Sequence, residues 1–200
     1  MLVVVGGHSR DVGKTSVVAG LIRALPEAGW TAMKITQFGH DVCSVAGKPC
    51  GCFLAPEHAF AIAREEWPNA SDTGRFLAAG ARASYWVRTA AGQLRHALPA
   101  VREVAAGSRN LVIESNSIME FLNPDLYLVV LDFAKQDFKA SSARFLGRAD
   151  ACILVARQGD VPEWPKVAHE VWRGKPRFVA RPPDYVTPPL AAFVRDAGLL

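Results

Sequence analysis

The chain has 200 residues, of which 50% are hydrophobic and 21% are charged. This composition supplies one packed core and excludes a disordered chain, and no apolar run reaches the roughly 18–20 residues that span a bilayer. The net charge of +4 is spread along the chain without a run of Lys or Arg, which argues against nucleic-acid binding and favours small phosphate-bearing ligands.

The chain begins on an apolar run, Leu2–Val5, which predicts a buried strand and is followed by two glycines. Apolar residues at helical spacing then predict a helix over Thr15–Leu25, and Trp30–Ile35 indicates a second strand. The first residues carry neither a basic segment nor a small-residue cleavage site. We therefore expect no signal peptide and a cytoplasmic location.

Strand-like and helix-like segments continue to alternate along the rest of the chain. The predicted strands are Leu111–Ile113, Tyr127–Leu131, Cys152–Val155 and Phe178–Ala180. The predicted helices are Asp72–Val87 (where Tyr85–Val87 also suits a short strand), Leu94–Ala106, Ser117–Leu122, Phe138–Leu146, Glu163–Trp172 and Pro188–Ala197. This alternation predicts a single α/β domain over residues 1–200, with a mostly parallel sheet between two layers of helices.

One stretch, Gln37–Asn69, breaks this alternation and contains three of the four cysteines of the chain. Its candidate metal ligands are Cys43, Cys50, Cys52 and His58, with His40 as an alternative imidazole. Thiolates and imidazole suit Zn²⁺ or, less often, an Fe–S cluster. The spacing matches no standard zinc motif, so reduced thiols are an equal alternative. The fourth cysteine, Cys152, begins a strand and is expected in the core.

The strongest motif lies between the first strand and the first helix. The segment Gly7–Thr15 places Gly13-Lys14-Thr15 at the start of a helix, as a phosphate-binding P-loop requires. Backbone N–H groups around Gly13 would bind phosphate, Lys14 would reach the β- and γ-phosphates, and the Thr15 hydroxyl would bind Mg²⁺. The residues expected to contact a nucleotide are Gly7, Ser9, Arg10, Asp11, Val12, Gly13, Lys14, Thr15 and Ser16. The strict pattern has four residues between its glycines, whereas five separate Gly7 from Gly13.

Two further residues are candidates for the same site because α/β proteins bind ligands at the carboxyl ends of their strands. Glu114 follows the strand that starts at Leu111, where it could hold Mg²⁺ or orient an attacking nucleophile. Lys34 lies in the second strand near its end. The candidate catalytic residues are therefore Lys14, Glu114 and Lys34, and the candidate Mg²⁺ ligands are Thr15 and Glu114.

Other polar segments leave alternatives open. Asp72 and Arg75 could contact metal and phosphate, although the Ser-Asp pair at this point equally suits a helix N-cap. The segment Asp132–Lys139 follows a buried strand and is either a solvated loop or a sensor of the γ-phosphate. The nucleobase could be bound by Ala156–Asp160 or by Arg181–Asp184, and neither segment distinguishes ATP from GTP.

The spacing of the phosphate loop points to a family. Gly7–Thr15 resembles the loop of dethiobiotin synthetase and of the cobyrinic acid amidases, which belong to the same P-loop class as the molybdopterin-guanine-dinucleotide biosynthesis protein B (MobB) group. Lys34 matches a lysine that both groups carry near the γ-phosphate or substrate. Ser71–Ala81 resembles the Asp-Ser/Thr-x-Arg…Ala-Gly-Ala segment of the MobB group. Leu111–Glu114 resembles the strand that ends in Glu-Gly beside the metal, with Ser115 in place of that glycine.

This resemblance implies a Mg²⁺-dependent P-loop NTPase that binds ATP or GTP, hydrolyses it slowly and works as a homodimer in cofactor biosynthesis, together with a protein partner. Two alternatives stay open. One is an ATP-dependent ligase or cyclase like dethiobiotin synthetase, in which Lys34 activates the substrate. The other is a non-enzymatic nucleotide switch or metal-delivery adaptor, in which the cysteine-rich stretch is the working part. No membrane or nucleic acid is expected as a partner.

Overall fold

The computed structural model describes residues 1–38, 59–155, 162, 164, 167 and 169–198. The strands in this part are β1 (Leu2–Gly7), β2 (Thr31–Phe38), β3 (Phe60–Arg64), β4 (Ala83–Ala90), β5 (Leu111–Glu114), β6 (Leu126–Asp132), β7 (Ala151–Val155) and β8 (Arg177–Ala180). The α-helices are α1 (Lys14–Ala24), α2 (Asp72–Ala78), α3 (Leu98–Ala106), α4 (Ala140–Leu146), α5 (Glu170–Arg173) and α6 (Pro188–Asp196). Short 3₁₀ helices cover Pro26–Ala28, Leu94–Ala97 and Ser117–Glu120.

The described strands form one sheet in the order β3-β4-β2-β5-β1-β6-β7-β8, in which only β3 runs antiparallel to its neighbour. The first strand of the chain lies inside this sheet. Leu2 pairs with Leu111 of β5, and Val3 pairs with Leu126 of β6. The carboxyl ends of β1, β2, β5 and β6 therefore meet at one edge, where α/β proteins bind their ligands.

Helices cover both faces of the sheet and give the domain three layers. On one face, α1, α2 and α6 pack through Leu21, Phe76 and Leu190. On the other face, α3 and α4 pack through Val101 and Phe145. These observations confirm the predicted α/β fold with a mostly parallel central sheet. No helix among the described residues is both long and apolar enough to cross a membrane.

The prediction of one helix over Asp72–Val87 is wrong beyond Ala78. Gly80 has a φ of +103°, a left-handed conformation that ends helices. The segment Tyr85–Val87 belongs to β4 and pairs with residues 33–35 of β2. Aromatic and β-branched side chains suit a strand that is buried against its neighbours, and here they outweigh the helical spacing.

The stretch predicted to be irregular, Gln37–Asn69, is regular at both ends. Residues 37 and 38 complete β2, and Phe60–Arg64 forms β3 along the outer edge of β4. Residues 39–58 lie outside the described part of the chain. They include the candidate metal ligands Cys43, Cys50, Cys52 and His58, for which a metal stays a prediction from sequence.

Candidate functional site

The segment between β1 and α1 forms a loop at the carboxyl end of the central strand. Gly13, which precedes α1, has a φ of 96° and a ψ of 13°. This left-handed conformation favours glycine. The close approach of Tyr185 also requires glycine, because a Cβ atom would lie 2.1 Å from Cε1 of Tyr185. Val12 is buried, whereas Arg10 and Asp11 are exposed. No side chain caps the N-terminus of α1, so its backbone N–H groups are available to an anion.

The Lys14 side chain folds back across this loop. Its Nζ donates a hydrogen bond of 2.7 Å to the backbone carbonyl of Ser9. Burial lowers the pKa of Lys14 to about 8, against the opposing effect of the Glu114 carboxylate. A phosphate group bound in the loop would supply the negative charge that this desolvated ammonium lacks. The Ser9 hydroxyl points elsewhere and donates to Asp137 Oδ2 at 2.7 Å.

Four side chains meet beside this loop at the carboxyl end of β5, where Lys34 of β2 pairs with Glu114. Glu114, the last residue of β5, accepts one hydrogen bond from Thr15 Oγ1 (2.8 Å) and another from Lys34 Nζ (2.9 Å). The Lys34 ammonium also binds the Asp72 carboxylate. Since the Glu114 side chain is only 5% exposed, this carboxylate forms the buried floor of the site.

The cluster determines the charge of Lys34. Burial by itself lowers the pKa of Lys34, but the carboxylates of Glu114 and Asp72 outweigh burial and raise the pKa above its ordinary value. Lys34 is therefore an ammonium ion at neutral pH and would act on a ligand as a positive charge rather than as a nucleophile. The Thr15 hydroxyl and the Glu114 carboxylate are hard oxygen donors of the kind that Mg²⁺ prefers, so these residues fit the predicted metal.

Strand β1, the loop and α1 thus form a strand–loop–helix unit whose Gly13-Lys14-Thr15 segment lies beside the carboxylate that ends the adjacent strand. The chain is a three-layer α/β domain with a P-loop between β1 and α1. No family model and no curated protein matches the chain. The resemblance to dethiobiotin synthetase and the MobB group therefore rests on the sequence motifs alone.

Two solved structures are similar to this chain in the arrangement of the backbone. LpxK from Aquifex aeolicus, in its "apo" form in complex with ATP, has a TM-score of 0.48 and 17% identity over 89% of this chain and 53% of its own. HypB from Helicobacter pylori, in complex with nickel, has a TM-score of 0.48 and 13% identity over 97% of this chain and 83% of its own. This chain spans about half the length of the LpxK chain.

The start of α2 contributes to the P-loop site and is also capped. Ser71 is the N-cap residue, and its hydroxyl accepts a hydrogen bond of 2.9 Å from a backbone N–H in the first turn. Asp72 is paired with Lys34, and Arg75 donates a hydrogen bond of 3.1 Å to Ser16 Oγ in α1. The N-cap interpretation of this segment is confirmed, and contact of Asp72 and Arg75 with metal and phosphate stays a prediction.

His8 ties the P-loop to the segment that follows β6, a role that the sequence did not indicate. Its ring is fully buried and packs at a tilt against the rings of Phe138 and Trp164, with centroid distances of 5.1 and 4.7 Å. Its Nε2 accepts from the backbone N–H of Asp132 at 3.0 Å, and its Nδ1 lies 2.8 Å from the backbone carbonyl of Asp137. Because a carbonyl only accepts, Nδ1 donates and the ring is neutral. Burial lowers the pKa of His8 below its ordinary value of 6.5.

This arrangement predicts a loss of stability in acid. Below about pH 6.5 His8 is protonated in the unfolded chain but stays neutral in the folded protein. The free energy of unfolding therefore falls as the pH drops from that value to the folded pKa. We expect urea denaturation at about pH 7.5 and about pH 5.5 to show this difference in the wild type. The difference should shrink in His8→Asn and persist in His96→Asn, since His96 is exposed. An equal difference in His8→Asn and the wild type would contradict the prediction.

Asn116 holds the start of the P-loop against β5. Its Oδ1 accepts from the Gly7 N–H and its Nδ2 donates to the Gly7 carbonyl, both at 2.8 Å. Gly6 leaves room for this amide, since a Cβ there would lie 2.3 Å from Asn116 Oδ1. Ser115, which stands where the resembled motif has glycine, accepts a hydrogen bond of 3.3 Å from the Ile118 N–H at the start of the following 3₁₀ helix.

The segment after β8 lies over the other end of the P-loop. Arg181 and Asp184 exchange two backbone hydrogen bonds, of 3.0 and 2.7 Å, and close a turn. The residue after this turn, Tyr185, lies with its ring against Gly13. The other candidate for base recognition, Ala156–Asp160, lies outside the described residues.

Cys152 is fully buried, and burial raises the pKa of its thiol to about 11, which agrees with the predicted core role.

Proposed function

We propose that the chain is a Mg²⁺-dependent P-loop NTPase that binds a purine nucleoside triphosphate, hydrolyses it slowly and serves cofactor biosynthesis in the manner of the MobB group. The observation that carries this proposal is the cluster of Thr15, Glu114 and Lys34 beside the Lys14 ammonium. It combines a loop for phosphate, oxygen donors for a cation and two positive charges at the edge of the sheet where α/β proteins bind ligands.

Each residue has a distinct role in this proposal. The backbone N–H groups at the start of α1 and the Lys14 ammonium would bind the β- and γ-phosphates. Thr15 and Glu114 would hold Mg²⁺, which neutralises phosphate charge when it is bound. Lys34 would stabilise the negative charge that develops during phosphoryl transfer.

Slow hydrolysis follows from the bonds that Glu114 already makes. One of its oxygens accepts from Thr15 and the other from Lys34. These two bonds hold the carboxylate in place, and turning it towards an attacking water would break them. A rearrangement of this kind adds a barrier to turnover.

Binding measurements test the proposal. ATP and GTP are titrated into the purified protein with and without Mg²⁺, with AMP and GMP as controls, and hydrolysis is followed in a single-turnover experiment. We expect a triphosphate to bind more tightly with Mg²⁺ than without it, the monophosphates to bind weakly, and the bound triphosphate to be hydrolysed slowly. A protein that binds neither ATP nor GTP would refute the proposal.

The alternatives give different results in the same experiment. A ligase or cyclase like dethiobiotin synthetase would turn over rapidly once its second substrate is added, with the Lys34 ammonium acting on an anionic group of that substrate. A nucleotide switch or metal-delivery adaptor would bind triphosphate without measurable turnover. The homodimer, the protein partner and a zinc or Fe–S site in the cysteine-rich stretch belong to this proposal as expectations from sequence.

A further inference from the structure

Lys139 is fixed against the P-loop by its own backbone. It is the residue before α4, and its N–H donates a hydrogen bond of 2.8 Å to the carbonyl of His8. Two residues earlier, the Asp137 carboxylate accepts the hydrogen bond from Ser9. The segment that follows β6 therefore forms a wall of the P-loop site, and Lys139 is its last residue.

Two lysines of the site have no bond to a carboxylate among the described residues. The Lys34 ammonium is paired with two carboxylates, whereas the Lys14 ammonium donates to a loop carbonyl. The Lys139 side chain is half-buried and makes no hydrogen bond or ion pair with any residue that the structure describes. The carboxylates of Asp137 and Asp11 raise its pKa, but burial outweighs them and lowers it. A phosphate bound at the loop would give this partly desolvated ammonium an anion in direct contact.

Lys139 and Lys14 belong to the same loop site. The backbone N–H of Lys139 binds the His8 carbonyl and the Lys14 ammonium binds the Ser9 carbonyl, so the two lysines contact neighbouring residues of the loop. The charges agree with this placement, because the charge of Lys139 lowers the pKa of Lys14 more strongly than the charge of Lys34 does. Burial and the positive charge of Arg10 lower the pKa of Lys139.

We propose that Lys139 binds the terminal phosphate of the nucleotide held by the P-loop and so distinguishes a triphosphate from a diphosphate. This inference rests on the proposed function. Lys14 reaches the β- and γ-phosphates in P-loops, and Tyr185 covers the opposite end of the loop at Gly13. The γ-phosphate is thus the part of the ligand that would lie between Lys14 and Lys139.

The test compares Lys139→Ala with the matched control Lys135→Ala, which removes the same charge from the same segment. Alanine at residue 139 keeps the backbone N–H that binds His8, so the P-loop wall should still form. We expect the dissociation constant of the triphosphate to rise about tenfold or more in Lys139→Ala. That of the diphosphate should change much less, and Lys135→Ala should behave as the wild type. Lys139→Arg should keep most of the discrimination.

The outcomes separate this inference from the proposed function. A wild-type protein that binds neither ATP nor GTP would overturn the proposed function, and the inference with it. Wild-type binding combined with an equal change, or no change, for triphosphate and diphosphate in Lys139→Ala would overturn the inference alone. An effect of Lys139→Ala only on a second, anionic substrate would also overturn it, since Lys139 would then bind that substrate and not the nucleotide.

Discussion

Replacing Lys14 with Ala is expected to abolish measurable binding of ATP and GTP while leaving the fold intact. The ammonium lies across the P-loop, where the β- and γ-phosphates would bind, and its bond to the Ser9 carbonyl holds it there. Its charge does not help the free protein to fold, because burial lowers the pKa of Lys14 to about 8. The melting temperature of Lys14→Ala should therefore equal or exceed that of the wild type.

Calorimetric titration and thermal denaturation of the same samples check both parts of this prediction. The wild type should also gain stability as the pH rises from about 8 towards 10.5, because the unfolded chain then binds a proton that folded Lys14 has released. Lys14→Ala should lack this contribution. Undiminished affinity for both triphosphates in a folded Lys14→Ala protein would remove the main support for nucleotide binding.

Replacing Glu114 with Gln is expected to reduce hydrolysis of the bound triphosphate by about 100-fold or more. Gln keeps the size of the side chain, but its single oxygen can replace only one of the two acceptors that bind Thr15 and Lys34. It also lacks the negative charge that would hold Mg²⁺ or orient water. Affinity for the nucleotide should change much less than the rate. Single-turnover hydrolysis and nucleotide titration of the same variant separate these two effects.

The matched control is Asp72→Asn. Asp72 also pairs with Lys34, but its side chain is 39% exposed, against 5% for Glu114, and no hydrogen bond joins it to Thr15. Losing its charge should leave Lys34 paired with Glu114 and reduce hydrolysis less. If both variants lose activity equally, the charge on Lys34 matters more than the carboxylate of Glu114. If Glu114→Gln folds and keeps full activity, Glu114 has no catalytic role.

The phosphate loop and its neighbours were predictable because their signals are local or follow from the topology of parallel strands. Gly13-Lys14-Thr15 is contiguous in sequence, and a strand before it and a helix after it complete the pattern. Glu114 and Lys34 needed one further step, namely that parallel strands place their carboxyl ends at one edge. The structure brings these side chains together at hydrogen-bonding distance.

His8, Asn116 and Lys139 could not be assigned in the same way. The hydrogen bonds of Asn116 with Gly7 join residues that are 109 positions apart, and they exist only because β5 lies beside β1. His8 visibly departs from the glycine of the strict motif, yet the reason is that the end of β6 and the segment after it bond its two ring nitrogens. For Lys139 the sequence favoured a solvated loop over a phosphate sensor.

The misassigned elements lie at the β3 side of the sheet, where local signals conflict. The segment that includes β4 carries apolar residues at helical spacing, but it also contains Gly80, which cannot continue a helix with its positive φ. The short β3, Phe-Ala-Ile-Ala-Arg, has no apolar–polar alternation that would make it stand out within a cysteine-rich stretch. Its strand conformation depends on pairing with β4, which is a tertiary contact.

The position of β1 inside the sheet has a consequence for synthesis on the ribosome. β1 is the first strand of the sequence to emerge, yet its two partners, β5 and β6, begin at Leu111 and Leu126. At about 5–20 residues per second, the nascent chain would carry this apolar segment unpaired for on the order of ten seconds. Chaperones bind exposed apolar segments of this kind, and without a chaperone such a segment promotes aggregation. A fragment that stops before β5 would expose it permanently.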